Sequence, residues 1–235
     1  MKKLLTLLSL LIYYLSFGQQ QFSYPKIKVE GQSISSFIPI NWKLLASAKG
    51  DLNNDKSDDV AFIIQYKDSV SIEKIEFEEK ETVITQPRIL ILAFLNPINK
   101  KYELIEQNNS FILNHDNPNM SEPFQNINIK KGVLRVDFQI FMNAGGWGMS
   151  NNSYVFRYQE NEFKLIGADY NYLNRSSGET ESRSYNFSTK KVKILTDNNS
   201  NDKQKTVLRP FKYDKLKTFK TFIPFTWEIE KDFYL

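Results

Sequence analysis

The chain reads as all-β and built from antiparallel meanders, on three observations. Its apolar runs are of strand length and rich in Val, Ile, Phe and Tyr, as at residues 60–66 and 88–95. Turn residues punctuate them at short intervals, as at Asn96-Pro97, Lys131-Gly132 and Glu160-Asn161. Past the N-terminal segment, only one stretch, the basic residues 212–220, has any helical character.

Residues 1–18 read as a signal peptide. Lys2 and Lys3 give the basic start and residues 4–15 the apolar stretch; Ser16 and Gly18 are the small residues expected just before a cut ahead of Gln19. The apolar stretch falls short of the roughly 20 residues that a membrane-spanning helix needs. No cysteine follows it to carry a lipid. The expectation is a single all-β domain over residues 19–235, exported to the periplasm or secreted, with no membrane span after signal cleavage. Removing 18 of the 235 residues leaves 217, enough for one domain with a sizeable core. Loss of Lys2 and Lys3 takes the formal charge from +4 to +2, too near neutral to suggest nucleic acid as a partner. With no cysteine in the chain, stability has to come from packing and from any bound metal.

In order, residues 19–31 alternate weakly and are placed as an edge strand or an entry arm. Phe37-Ile38-Pro39-Ile40-Asn41-Trp42 leads into a strand over 43–49. The run Val60-Ala61-Phe62-Ile63-Ile64 is apolar at every position, which predicts burial on both faces. Between these strands lies Gly50-Asp51-Leu52-Asn53-Asn54-Asp55-Lys56-Ser57-Asp58-Asp59-Val60. Asp51, Asn53, Asp55 and Asp59 stand at relative positions 1, 3, 5 and 9, and the carbonyl of Ser57 falls at position 7. A tight loop can turn such alternate oxygens toward one point. Hard donors at this density suit Ca²⁺ better than softer metals.

The stretch is not an EF-hand, which requires Gly at position 6, Glu at position 12 and flanking helices. Here those positions hold Lys56 and Phe62, and the flanks are strand-forming. The loop resembles instead the FG-GAP or VCBS-type repeat of integrin-α-like β-propellers, G-D-[FL]-N-G-D-G-x-D-D-[LV] between two strands. That resemblance implies a structural Ca²⁺ held by Asp51, Asn53, Asp55, Ser57 and Asp59, with Asp58 directed away, and meanders resembling propeller blades. A two-sheet β-sandwich is the alternative. Two glycines of the pattern are replaced by Asn54 and Lys56, at positions where φ > 0 is expected; Asn tolerates that region better than Lys. More broadly, F-I-P-x-x-W, P-R-I-L-I-L-A-F, F-M-N-A-G-G-W, Y-V-F-R-Y-Q, F-K-L-I-G and S-G-E-T-E-S-R-S-Y-N-F resemble a family of secreted bacterial proteins of unknown function. This implies an envelope address and no activity.

Beyond the loop, residues 68–86 are charged and irregular, as in a solvated insertion or extended hairpin. Strands follow over 88–95 and 101–107, then over 127–129, 133–141, 154–159 and 163–168. His115, the single histidine, lies among turn residues and has no second His or Cys with which to build a catalytic pair or a zinc site. Asn143-Ala144-Gly145-Gly146-Trp147-Gly148 bends the chain; it either packs its backbone on the indole, the favoured expectation, or presents Trp147 at a rim. It lacks the Lys-Ser/Thr of a phosphate loop. Residues 169–184 read as an ordinary surface connection or as the best candidate in the chain for a recognition loop. Tyr170, Tyr172, Arg175 and Arg183 are its candidate ligand or partner residues, with Trp147, because these types dominate binding hot spots. A second F-I-P-x-x-W, at residues 222–227, suggests that the two ends of the chain occupy related places.

These readings converge on an exported, Ca²⁺-stabilised binding or structural module without a catalytic role, meeting an unknown protein or glycan in the cell envelope. The alternative is a carboxylate- or metal-dependent hydrolase acting on envelope glycans, although no acid pair outside the loop, such as Glu179 with Glu181, has a pattern that marks it as catalytic.

Overall fold

A computed structural model describes residues 22–76, 79–197 and 204–235; the expected signal peptide lies outside them. The strands in chain order are β1 (Glu30–Gly31), β2 (Trp42–Gly50), β3 (Asp59–Tyr66), β4 (Val70–Glu76), β5 (Glu79–Thr85), β6 (Arg88–Leu95) and β7 (Tyr102–Asn108). Then come β8 (Phe124–Lys130), β9 (Val133–Phe141), β10 (Gly148–Gln159), β11 (Glu162–Asn174), β12 (Thr180–Asn186), β13 (Lys191–Asp197), β14 (Lys205–Pro210), β15 (Glu228–Glu230) and β16 (Phe233–Tyr234). One 3₁₀ turn spans Ile34–Phe37. The fold is all-β and antiparallel, as expected.

The strands make a five-stranded sheet ordered β1-β7-β6-β3-β2, a seven-stranded meander running from β8 to β14, and the small hairpins β4-β5 and β15-β16. Sheets of five and seven strands are not repeats of a four-stranded blade. They face one another across a shared core, which is the two-sheet arrangement. Ala61, Ile63, Leu90 and Leu92 of the first sheet meet Leu134, Val136, Phe138, Tyr154, Phe156 and Leu165 of the second.

The central strands β3 and β6 explain why their sequences are apolar at every position. Val60, Phe62, Ile64, Ile89 and Ile91 form a second cluster on the opposite face, under Ile27, Phe37 and Trp42 from the entry segment. A strand covered on both faces has no polar side to show. In the meander one face meets solvent, so β9 alternates buried Leu134, Val136 and Phe138 with half-exposed Val133, Arg135 and Asp137.

The meander's tight turns are set by residues with positive φ. Lys131 (53°) with Gly132 (73°), and Glu160 (53°) with Asn161 (60°), supply the paired left-handed residues that a two-residue hairpin turn requires.

Three expectations need correction. Residues 212–220 form no helix; they are a loop strapped to β11, where Lys217 accepts a hydrogen bond from the Leu165 N–H and Phe219 donates one to Phe163. Residues 169–184 are mostly strand: β11 and β12 continue through them in register, and only Arg175–Glu179 turn. Tyr170 and Tyr172 at alternate positions are the strand signal in an otherwise polar stretch. The two F-I-P-x-x-W copies also do not share a place. Phe37 and Trp42 belong to the cluster under the entry segment, whereas Phe222 is in the shared core and Trp227 packs against it.

Candidate metal centre and aromatic rim

The acidic loop closes the β2–β3 hairpin, whose last pair is Gly50 with Asp59. Asn54 and Lys56, which replace glycines of the resembled pattern, take φ of 63° and 70°. The backbone therefore adopts the left-handed conformations that glycine would supply. This turns the side chains at positions 1, 3 and 5 inward. Asp51 accepts the N–H of Asp55 on Oδ1 (3.2 Å) and that of Lys56 on Oδ2 (2.9 Å). Asn53 Oδ1 accepts the Asp55 N–H at 3.0 Å, and its amide donates to Asp55 Oδ2 at 3.1 Å. Asp55 Oδ1 accepts the Ser57 N–H at 2.7 Å. Desolvation raises the Asp55 pKa, but the hydrogen bonds from Ser57 and Asn53 together outweigh it and hold the carboxyl below its ordinary value. Asp58 is exposed.

Asp59 behaves differently. It is fully buried, and its Oδ2 accepts the Leu52 N–H (2.8 Å) while its Oδ1 accepts the Leu95 N–H at the end of β6 (2.9 Å). Burial pushes its carboxyl up to about 6 against the opposing pull of those two N–H groups. Leu52 is itself fully buried in the shared core. The loop also abuts the other sheet. A Cβ on Gly50 would come within 2.7 Å of Ile129 Cγ2, and one on Gly132 within 3.3 Å of Asn54 Oδ1. The loop is thus wedged between the two sheets, not hung from one.

The donors fit a hard cation in kind: Asp51 and Asp55 keep lone pairs beyond those their backbone partners use, and Asn53 and the Ser57 carbonyl add neutral oxygens. Asp59 would have to serve both the fold and the ion. Among the described residues, no three carboxylate or imidazole groups are gathered closely enough to hold a metal by themselves. A cation would depend on the amide and carbonyl oxygens as well.

The candidate partner residues fall into two groups on the meander. At one rim, Trp147 is 65% exposed, and Gly145 and Gly146 have open space around them, so the packed indole that was expected is not what the loop builds. Arg175, in the neighbouring β11–β12 turn, holds this loop in place. Its guanidinium donates to the carbonyls of Gly146 (2.7 Å), Met142 (3.2 Å) and Trp147 (3.3 Å), its backbone N–H donates to the Trp147 carbonyl (2.9 Å), and it lies 4.4 Å over the Phe141 ring. Tyr172 lies against Gly148, where an added Cβ would be 3.0 Å from its ring, and Tyr172 stacks parallel to Tyr170 at 6.3 Å. Further along, Arg183 lies 3.9 Å over Phe233 and pairs with Glu181 and Glu230. Glu181 is spent on this pair, and Glu179 accepts the Ser177 hydroxyl at 3.0 Å. His115 ties its own turn through the Met120 carbonyl at 2.6 Å.

Two polar constellations went unread in the sequence. Arg88, 3% exposed at the head of β6, is held by Glu122 through two 2.7 Å bonds, by Gln65 (3.0 Å) and by the Leu113 carbonyl (2.7 Å). Burial raises the Glu122 pKa, but the Arg88 hydrogen bonds and charge win and hold it low. An arginine leading an otherwise apolar strand is a readable signal, since such a charge needs a buried partner. On the outer face of the meander, Arg135 bonds Asp137 (2.7 Å), Asp169 (3.2 Å) and Ser153 (2.6 Å) across three strands. Only strand register brings those together.

No helix among the described residues is long and apolar enough to cross a membrane. Compared with protein-family models, with curated proteins and with solved structures, the chain matches none.

Proposed function

We propose that the protein is an exported, Ca²⁺-stabilised binding or structural module with no catalytic role of its own, working in the periplasm or outside the cell. The observation that carries this reading is the backbone of the acidic loop. Asn54 and Lys56 hold left-handed conformations that cost a non-glycine residue energy, and the outcome is the inward turn of Asp51, Asn53 and Asp55. Left-handed non-glycine residues also close the plain hairpin turn at Glu160-Asn161; here they stand at alternate positions, with oxygen-bearing side chains turned in around them. Asp51, Asn53, Asp55 and the Ser57 carbonyl would hold the ion, with Asp59 bridging it to the fold. The cation would neutralise the loop's carboxylates and fix the β2–β3 connection, supplying stability in place of chemistry.

The test is the melting temperature of residues 19–235 with excess calcium and with chelator. A cation about a hundredfold above its Kd adds about 2.7 kcal/mol, which for a chain of this size is several degrees. The rise should vanish in Asp55→Ala. Equal melting temperatures of the unaltered protein in both buffers would sink the metal reading.

A further inference from the structure

We propose that the Trp147 rim and the Tyr172–Tyr170 pair behind it form a binding track for a neutral oligosaccharide. This deepens the reading of the chain as a binding module and rests on it. Three features support it.

The first is that Trp147 is held out, not left loose. Exposed apolar side chains are ordinary on a protein surface, but the backbone that displays this 65% exposed indole is fixed by four hydrogen bonds from Arg175 to the carbonyls around it. An aromatic surface whose backbone is anchored before binding loses little conformational entropy when a partner arrives.

The second is an aromatic pair beside the last glycine of the rim. Gly148 follows Trp147 and lets the Tyr172 ring lie directly on the backbone, and Tyr170 stacks behind it with an interplanar angle of 5°. Tyr170 and Tyr172 share one face of β11, and both are partly exposed. Their flanks are polar. Ser150 stands opposite Tyr172 on β10, with Glu181 and Arg183 beside the pair on β12, while Asn152, opposite Tyr170, is buried and donates to Ser150. Aromatic faces offer the C–H face of a sugar ring an apolar partner, while amide, hydroxyl and carboxylate groups alongside can take its hydroxyls.

The third is charge. Arg175 is committed to backbone carbonyls, and Arg183 to Glu181 and Glu230. An anionic polymer would have to break those pairs to find a cation, whereas a neutral sugar chain leaves them whole and uses only their remaining lone pairs. The chemistry therefore favours a neutral glycan over a phosphate- or carboxylate-bearing one.

Calorimetric titration of residues 19–235 with cellohexaose, maltohexaose, xylohexaose and chitohexaose, and separately with polygalacturonate, tests this. At least one neutral hexasaccharide should bind. Trp147→Ala and Tyr172→Ala should each weaken that binding about tenfold or more, and Trp147→Phe should recover much of it. Melting curves check that the variants fold, and Trp147→Ala should melt with the unaltered protein. The proposal is overturned if none of the four hexasaccharides binds at about 10 mM, if polygalacturonate alone binds, or if Trp147→Ala binds as well as the unaltered chain. A calcium-dependent melting shift that persists beside any of these leaves the metal reading standing. Loss of that shift with sugar binding intact overturns the metal reading alone.

Discussion

The acidic loop and the Trp147 rim are both short, turn-rich connections between strands, yet they are attached to the molecule in opposite ways. The acidic loop sends Leu52 into the shared core and is tied by Asp59 to the end of β6. The rim sends nothing inward; Gly145 and Gly146 stand in open space, and Arg175 holds the loop from outside. Changes in the first should therefore register as stability, and changes in the second as binding.

The largest effect should come from Asp59→Ala. The substitution leaves the Leu52 and Leu95 N–H groups without their acceptor inside the fold, at about 1–3 kcal/mol for each buried orphan. With chelator present, where the metal contributes nothing, a fall in melting temperature of about 10 °C is expected. Asp59→Asn keeps one acceptor oxygen and should lose about half as much. If both variants melt with the unaltered protein in chelator, the loop is not wired into the core as described.

Next in size is the Arg88–Glu122 pair, a control for buried charge at the end of β3 and β6 opposite the acidic loop. Glu122→Gln removes the countercharge of an arginine that is only 3% exposed. Because Glu122 itself is 44% exposed and water screens the pair, a loss of about 2 kcal/mol is expected, below the range for fully buried pairs. The pH dependence has a definite sign. The folded-state pKa of Glu122 is depressed, so its contribution is fully present above the unfolded value near 4.3 and is lost as pH falls through the folded one. The stability gap between the unaltered protein and Glu122→Gln, followed by urea unfolding, should hold from neutral pH down to about 5 and close below about 4. A gap that widens in acid would reverse the assignment.

The sequence made the strands and the loop legible for one reason: their signals are local. A run such as residues 60–64 needs two covered faces, and Lys131-Gly132 needs left-handed φ, wherever the rest of the chain lies. What it hid is set by register. Residues 169–184 look loop-like because they are polar, but they face solvent on one side of a long strand pair, where polarity is expected. Arg135, Asp137, Asp169 and Ser153 meet only because β9, β10 and β11 pair as they do. Asp59 looked like one ligand among several. Its burial came from the packing of β6 beside β3, which the spacing of oxygens in the loop does not encode.

A smaller and opposite effect is expected at Lys56. Its φ of 70° is unfavourable for a lysine and free for glycine, and its side chain is exposed, so little packing is lost on replacement. Relief of left-handed strain, less the extra freedom glycine gives the unfolded chain, leaves Lys56→Gly about 0.5–1 kcal/mol more stable in chelator. Calcium, if the loop holds it, should then bind more tightly, because the inward conformation no longer competes with relaxation. An unchanged or lower melting temperature would mean that Lys56 is not strained there.

The smallest effect is the one that sharpens the comparison most. Trp147→Ala removes the bulkiest side chain of the rim, and in a core such a truncation costs about 3–5 kcal/mol. Here the indole is 65% exposed and Gly145 and Gly146 before it leave open space, so almost no buried surface is lost. The change in unfolding free energy should stay within about 0.5 kcal/mol in calcium and in chelator alike. A loss of about 2 kcal/mol, well above that range for surface substitutions, would mean that the indole packs on the fold after all. The rim would then be a second stability element like the acidic loop, and the contrast between a connection wired inward and one held from outside would fail.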